Sequence, residues 1–176
     1  DMTFAFDAVP DDSVRRLQAV LAARGGCRSE LATAARAAAS DAAAALGAGA
    51  RVMVLCQIDE DPFPASNPLC RPFDVVIEIE VPSDVSVDDL AGALDGLGGR
   101  VAEHAHLDLS GALVGSPQKL IDCEPTPLRY LYFMRRKAHS DRTEYLDYYF
   151  HHHSRFGFAT PNIAGYTQFH VDPEQS

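Results

Sequence analysis

Several features that mark whole classes of protein are missing from this sequence of 176 residues. No run approaches the roughly 18 consecutive apolar residues of a membrane-spanning helix. The first residues also lack the basic stretch and apolar segment of a secretory signal. Lysine and arginine number 15 against 25 aspartates and glutamates, giving a net charge of −10. Because a phosphate backbone needs a basic surface, nucleic acid is not an expected partner, and the sequence predicts a cytoplasmic protein without a membrane partner.

Cysteine and glycine patterns exclude further classes of protein. The four cysteines, Cys27, Cys56, Cys70 and Cys123, lack C-x-x-C and zinc-type spacing. We interpret them as reduced thiols that mostly pack in the interior. No strand leads into a G-x-G-x-x-G turn or a P-loop, and the glycines between residues 96 and 99 follow a helix. The sequence therefore predicts no nucleotide cofactor.

The composition and the first fifty residues are typical of a globular protein. Apolar residues make up 47% and charged residues 23%, and the length fits one domain or two small units that share a core. Residues 3–6 read as a short strand. Asp11-Asp12-Ser13 would cap a helix with apolar residues at helical spacing through Leu21. Ser29 opens a second helix, whose interior between residues 32 and 45 is mostly alanine, the best helix former.

In the middle of the chain the spacing of apolar residues changes from helical to strand-like. Residues 52–58 form a β-rich run, and the odd-numbered positions of residues 75–81 are apolar, which predicts a strand buried on one face. Residues 86–97 form an amphipathic helix that Gly98-Gly99 would end, and residues 101–114 contain another strand. This order predicts an α+β fold, a ferredoxin-like βαββαβ unit over residues 1–115.

The last third of the chain repeats part of that order. Residues 116–127 are rich in turn residues and would link the first unit to an incomplete second unit over residues 128–176. There, residues 130–135 predict a strand, Asp141 with Glu144 predicts a capping box and a helix through about residue 156, and residues 165–171 predict a last strand. Such a half-unit would expose strand edges. We therefore expect a second copy in a homodimer, or residues beyond this chain, to complete the sheet.

Histidines are concentrated near the C-terminus, but their spacing does not favour a metal site. Consecutive side chains on a helix point about 100° apart, so His151, His152 and His153 cannot converge on one ion. His104 and His106 alternate on a predicted strand and could share a face, but no third ligand is evident. We predict no metal ligands in this chain.

One helix face and one strand face carry the groups that could do chemistry. Tyr145, Tyr149 and His153 stand at four-residue steps, so they line one side of a helix. Side chains two apart share a face of a strand, which brings a phenol, an amide and an imidazole together near the C-terminus. These three are Tyr166, Gln168 and His170. If both imidazoles flank one cavity, they offer general acid–base catalysis; otherwise the tyrosines are core and the histidines are structural hydrogen-bonding groups.

The same residues form a recognisable pattern. A strand ends in basic residues at Arg135 and Arg136, a helix follows with aromatic-x3-aromatic-x3-His spacing, and a GY-x-Q-x-H strand begins at Gly165. Over about residues 128–172 this pattern resembles an EthD-type domain of the dimeric α/β-barrel (ferredoxin-like) superfamily. The resemblance implies that the two units form a dimeric or pseudo-dimeric α/β barrel. After the helical histidine the family commonly has a small residue and Pro-Leu, whereas this chain reads Ser-Arg-Phe-Gly at residues 154–157. We therefore expect a different entrance loop.

In this resemblance, Tyr145 stands at the first aromatic position of the family and Tyr149 at a position that is usually tryptophan. His153 and His170 stand at the helical and strand histidines. Relatives by fold include cofactor-free lyases, isomerases, dehydratases and monooxygenases, and also haem proteins, so the fold does not choose a reaction.

The leading hypothesis is a cofactor-independent lyase or isomerase, dehydratase-like or cyclase-like, of secondary metabolism. Its substrate would be a small hydrophobic molecule, such as an aromatic or polyketide-type metabolite. His153 and His170 would act as base and acid, while Tyr145, Tyr149, Tyr166 and Gln168 would bind the substrate. Two alternatives stay open: a haem-binding barrel enzyme with a histidine ligand, and a non-catalytic ligand-binding or assembly protein.

Overall fold

The computed structural model describes residues 8–59 and 73–176. The strands are β1 Val14–Leu21, β2 Arg51–Cys56, β3 Val75–Pro82, β4 Gly111–Ile121 and β5 Tyr166–Val171. The helices are α1 Arg28–Leu46, α2 Val87–Val101, α3 Arg142–Tyr148 and α4 Arg155–Ala159, with a 3-10 turn at Leu107–Leu109 and a π-helical turn at Tyr149–His153. The predicted strand at residues 3–6 lies outside the described residues. No helix of the described chain is long and apolar enough to cross a membrane.

The strands form one sheet in the order β2-β3-β1-β4-β5. β1 pairs antiparallel with both β3 and β4, and β2 pairs antiparallel with β3. The order β1-α1-β2-β3-α2-β4 with this strand arrangement is the ferredoxin-like topology. The predicted α+β class is confirmed, but the first strand of the unit lies at residues 14–21, where a helix was predicted. Among residues 8–59 and 73–176 the sheet is open, with β2 and β5 at its edges. The predicted closure into a barrel is not seen within one chain.

Contacts divide the chain into two compact units. One unit comprises residues 13–115 and 171–176, and the other comprises residues 116–170 with the segment that ends at Asp12. β4 runs through residue 121, so the first half of the predicted linker is strand. The proposed division into residues 1–115 and 128–176 stays a prediction.

The alanine-rich helix is a core element of the first unit. Leu31, Ala35 and Ala39 of α1 are completely buried with the apolar face of β3. Small side chains allow a helix to approach its neighbours closely, and α2 packs beside α1 in the same cluster. The predicted helix is thus confirmed, and its buried alanines are packing residues.

The predicted helix after Ser13 is wrong, because residues 14–21 form the strand β1. Apolar residues at 14, 17, 20 and 21 fit a helical period, but β1 is paired on both edges, with β3 and with β4. Leu17 and Leu21 face the helices, and Arg16 and Gln18 are buried on the opposite face. Burial on both faces removes the simple alternation of a one-sided strand, so the local pattern misleads.

The prediction that β3 is buried on only one face is also wrong. Glu78, on the side away from the helices, is only 3% exposed and accepts hydrogen bonds from Arg16 at 3.2 Å and Gln18 at 2.9 Å. The Arg16 guanidinium also donates to Glu80 at 2.6 Å. In the register of β1 and β3, Gln18 lies opposite Glu78 and Arg16 lies opposite Glu80. Hydrogen bonding and charge pairing make burial of these polar groups tolerable.

Two boundaries differ from the predicted ones around α2. Ser86 caps the helix as expected, since its hydroxyl accepts from the Asp89 backbone N–H at 3.1 Å. Gly98 and Gly99 do not end it, because neither adopts a positive φ and the helix continues to the fully buried Val101. The following strand therefore starts later than predicted, at Gly111.

The strand predicted at residues 130–135 is wrong for the isolated chain. This segment is assigned to no strand, and most of its side chains are exposed, Tyr130 by 66% and Tyr132 by 70%. The residue types of this segment favour a pleated, half-buried surface. Such a segment forms a strand only when a neighbouring strand supplies hydrogen bonds. Within the described chain this segment has no place in the sheet order.

Candidate active site

A capped helix positions the first group of predicted site residues. The Asp141 carboxylate accepts from the Glu144 backbone N–H at 3.0 Å, so α3 begins where the capping box predicts. The helix then passes into the π-helical turn at Tyr149–His153 before α4 begins at Arg155. π-Helical turns are rare in proteins and are found frequently at functional sites. This turn contains one of the two histidines that the sequence analysis selects.

The predicted aromatic face of this helix is present as a continuous row of rings. The Tyr145 and Tyr149 rings stack with centroids 5.8 Å apart and an interplanar angle of 7°. The next contact joins Tyr149 to His153, with centroids 5.1 Å apart. Phe150, the residue after Tyr149, is buried. His153 also contacts the Phe156 ring at 5.0 Å, so this imidazole has aromatic neighbours at two positions.

The strand face is organised by the Gln168 amide. Its nitrogen donates to the Tyr149 backbone carbonyl at 2.8 Å and to the Tyr166 hydroxyl at 3.1 Å. Its oxygen lies 3.1 Å from His170 Nε2. Gln168 is only 1% exposed, whereas the side chains of Tyr166 and His170 are partly exposed. The three residues therefore share one face as predicted, but Gln168 is enclosed by protein.

Tyr149 joins the helix face to the strand face. Its ring lies 5.9 Å from the His170 ring as well as 5.1 Å from the His153 ring. His170 also meets the edge of Phe150, with centroids 5.9 Å apart and an angle of 82°. Both imidazoles thus border the same phenol. The structure brings all six predicted residues into one connected group, and their function as a site stays a prediction.

Burial keeps the two imidazoles neutral. Loss of solvent lowers the pKa of His170 to about 4, and this effect exceeds the opposing attraction of the Asp12 carboxylate; Arg142 lowers the pKa further. The pKa of His153 is also lowered, first by burial and then by the Arg155 guanidinium. An imidazole that is neutral at pH 7 can accept a proton, so both rings are suited to act as bases.

The phenols have the opposite tendency. Burial raises the pKa of Tyr149 well above its ordinary value, and the neighbouring phenols of Tyr166 and Tyr145 and a hydrogen bond with Tyr166 raise it further. Burial also raises the pKa of Tyr145. These hydroxyls stay protonated and can donate hydrogen bonds. The group as a whole is uncharged at neutral pH and largely aromatic, which favours an uncharged, ring-containing ligand.

Two residues near the site were not singled out from the sequence. A Cβ placed on Gly157 would lie 2.1 Å from Cδ1 of Tyr166, so only glycine allows α4 to approach this ring. Ser154, which ends the π-helical turn, is completely buried, and its hydroxyl oxygen has no hydrogen-bond partner in the described chain. A glycine inside a helix was the available signal for the first; no local pattern marks the second.

The remaining histidines do not join this group. His152 stacks on Tyr148 at 5.5 Å, and His151 lies 3.7 Å from the Asp147 carboxylate, so three consecutive imidazoles have different surroundings. His104 and His106 lie in a turn and not on the predicted strand, because the single bridge at Ala105 does not extend. Residues 8–59 and 73–176 contain no group of three or more His, Cys, Asp or Glu side chains arranged to hold a metal ion.

The cysteines differ in part from the interpretation as packing thiols. Cys27, Cys56 and Cys123 are free, as predicted, but Cys56 and Cys123 are exposed and Cys27 is only partly buried. Cys70 lies outside the described residues. The described thiols therefore do not contribute to the core.

Comparison with known proteins gives limited information about this chain. No protein-family profile and no curated protein matches its sequence. A similar solved structure is a dimeric protein of unknown function and ferredoxin-like fold from Bacteroides fragilis NCTC 9343. It has 10% sequence identity and a TM-score of 0.42, and the alignment covers 61% of this chain and 99% of that chain. The resemblance to EthD-type domains therefore stays a prediction.

Proposed function

We propose that this chain is a cofactor-independent lyase or isomerase that removes a proton from a small hydrophobic metabolite of aromatic or polyketide type. The observation that carries the proposal is the contact of two neutral imidazoles, His153 and His170, with one partly buried phenol, Tyr149. A neutral base beside a protonated hydroxyl is the pair that enolisation of a carbonyl compound needs. The aromatic rings around the pair support the choice of an apolar substrate.

The lowered pKa values of the two histidines change the roles expected from the sequence, in which one histidine was the base and the other was the acid. Because the pKa values of both imidazoles are lowered, both rings are neutral at pH 7 before the reaction, so neither is an imidazolium that could act as the acid. We assign the base to His170, because its ring contacts Tyr149 and its Nε2 lies 3.1 Å from the Gln168 amide oxygen, which holds the imidazole in place. Tyr149, whose pKa is raised, would donate a hydrogen bond to the oxygen on which negative charge develops.

The proposed reaction begins when the His170 imidazole accepts a proton from the carbon next to a carbonyl group. The C–H electron pair forms the enolate, and the negative charge moves to the oxygen that faces Tyr149. In an elimination, the C–O bond to a β-hydroxyl then breaks, and the proton on His170 leaves with that hydroxyl as water. In an isomerisation, the imidazolium returns the proton to a different carbon. His153 would border the substrate and serve as a second base.

Proton exchange in D2O tests this step without requiring the physiological substrate. A panel of enolisable aryl ketones and β-hydroxy ketones is incubated with the protein, and loss of the α-proton signal is followed by NMR. We expect exchange for at least one compound and a fall of about 100-fold or more in His170→Gln, because a positioned general base contributes about that much. His152→Gln is the matched control, because His152 lies in the π-helical turn and its ring contacts Tyr148.

The outcome separates the proposal from its alternatives. Equal exchange rates in His170→Gln and in the wild type would refute the assignment of His170. Binding of ring compounds without exchange would favour a ligand-binding protein. A Soret band after incubation with haem that is lost in a histidine variant would favour the haem alternative. Melting temperatures of each variant separate lost chemistry from lost folding.

A specific observation favours assembly through the segment at residues 128–137. Its apolar side chains are exposed in the single chain, and it carries four basic residues, whereas the whole chain has a net charge of −10. We propose that a second copy covers this segment in a homodimer and that strand pairing across the interface completes the barrel. A β-rich segment with exposed aromatic side chains can add to the edge of a sheet.

Light scattering on the purified protein tests the homodimer. We expect a dimer for the wild type and a monomer for Tyr132→Glu, which introduces a charge into the exposed apolar segment. Tyr148→Glu, at another exposed tyrosine in α3, serves as the control and should leave the dimer intact. A monomeric wild type at micromolar concentration would refute this proposal without affecting the proposed chemistry.

A further inference from the structure

We propose that Gln168 is a positioning residue that fixes the tautomer of His170, so that Nε2 carries the proton and Nδ1 is the basic atom. This inference changes the predicted role of Gln168 from substrate binding to control of a neighbouring side chain. It rests on the proposed function only where it calls His170 a base, since the tautomer itself is a property of the protein alone.

The orientation of the Gln168 amide follows from a backbone group. The Tyr149 carbonyl oxygen can only accept a hydrogen bond, and it lies 2.8 Å from one terminal atom of the amide. That atom must therefore be the nitrogen, which donates. The amide oxygen then occupies the other position, 3.1 Å from His170 Nε2. The chemistry of the partner thus resolves an ambiguity that side-chain amides usually leave open.

The His170 tautomer follows from the same reasoning. An amide oxygen accepts and cannot donate, so the hydrogen bond to His170 exists only if Nε2 carries the proton. A neutral imidazole has one N–H, and Nδ1 therefore holds the lone pair. The buried amide cannot turn to satisfy a different arrangement, since its nitrogen already donates to Tyr149 and to the Tyr166 hydroxyl.

Burial excludes a direct role for Gln168 with a ligand. The side chain is 1% exposed, and both ends of its amide are occupied by protein groups. Helix and strand are coupled through it, because one amide holds the backbone of the π-helical turn and the imidazole on β5. Hydrogen-bonded partners of a catalytic imidazole commonly set its orientation and tautomer, and Gln168 would do so here without adding charge.

Nitrogen-15 NMR of the imidazole rings in the intact protein tests the proposal. In the wild type we expect His170 to show an N–H at Nε2 and an unprotonated Nδ1, with no detectable Nδ1–H tautomer. In Gln168→Leu the Nδ1–H tautomer should appear, and hydrogen exchange at Nε2 should become roughly tenfold faster, as expected for loss of one hydrogen bond. Gln168→Glu keeps an acceptor at this position and should retain the wild-type tautomer.

An Nδ1–H tautomer in the wild type would overturn the proposal, and this measurement needs no variant. Equal tautomer populations in the wild type and in a folded Gln168→Leu protein would also overturn it. If Gln168→Leu does not fold, hydrogen exchange at Nε2 decides: protection in the wild type and in Gln168→Glu supports the proposal, and free exchange refutes it. Failure of the proton-exchange assay with the expected NMR result would reject the proposed function and leave the tautomer assignment intact.

Discussion

Replacing Gly157 with alanine would place a methyl group within the volume of the Tyr166 ring. The Cβ would lie 2.1, 2.4 and 2.7 Å from three ring carbons of Tyr166. Normal carbon–carbon contacts are about 3.5–4.0 Å, so the ring or α4 would have to move by more than about 1 Å. Such a movement pulls the Tyr166 hydroxyl away from the Gln168 amide, which it meets at 3.1 Å.

The expected cost combines three contributions. Overpacking a filled site costs about 1–3 kcal/mol, and loss of one hydrogen bond adds about 0.5–1.5 kcal/mol. Alanine is a better helix former than glycine by roughly 0.5–1 kcal/mol, which offsets part of the loss. We therefore expect Gly157→Ala to lower the free energy of unfolding by about 1–3 kcal/mol. For a chain of this size that corresponds to a fall in melting temperature of several degrees, on the order of 5 °C.

Urea unfolding followed by circular dichroism measures this difference. Gly96→Ala is the matched control, because Gly96 is also helical but has no atom within 4 Å of a built Cβ. The control should be as stable as the wild type or slightly more stable. If Gly157→Ala has wild-type stability and an unchanged Tyr166 environment, the close approach of α4 to this ring does not exist in solution.

Three further predictions concern burial and capping. Burial lowers the pKa of His170 to about 4 against about 6.5 unfolded, so between these pH values the unfolded chain binds more protons and stability falls as the pH decreases. The free energy of unfolding of the wild type should therefore be lower at pH 5 than at pH 7. After allowance for partial exposure, His170→Gln should reduce this difference by roughly 1–2 kcal/mol, measured by urea unfolding at both pH values. If the variant shows the same pH dependence as the wild type, the pKa of His170 is not low. Glu78→Ala should lower the free energy of unfolding by about 3 kcal/mol, because Arg16 is 4% exposed and would lose a buried carboxylate partner while keeping Glu80. A loss of less than about 1 kcal/mol in urea unfolding would show that this network is not buried. Ser86→Ala should cost about 1 kcal/mol through loss of the helix cap, and an equally stable variant in thermal unfolding would refute that bond.

The sequence was sufficient to predict features that depend on hydrogen bonds between residues close together in the chain. Ser86 and Asp141 each place an oxygen that can accept from a backbone N–H three residues later, so both helix starts are readable from the sequence. The four-residue steps from Tyr145 to His153 and the two-residue steps from Tyr166 to His170 fix which side chains share a face. The ferredoxin-like order of elements follows from the same periodicities, although its first strand was assigned to the wrong residues.

The sequence by itself determined the helix caps, the alanine-rich helix and the two rows of site residues, because each depends on neighbours within a few positions. Tertiary structure alone decided that residues 14–21 are the central strand, since pairing on both edges and burial on both faces are invisible to a local period. It also left residues 130–135 outside the sheet, because strands require a partner. Packing of β5 against the π-helical turn finally set the charge state of His170 and enclosed Gln168, since desolvation depends on residues distant in sequence.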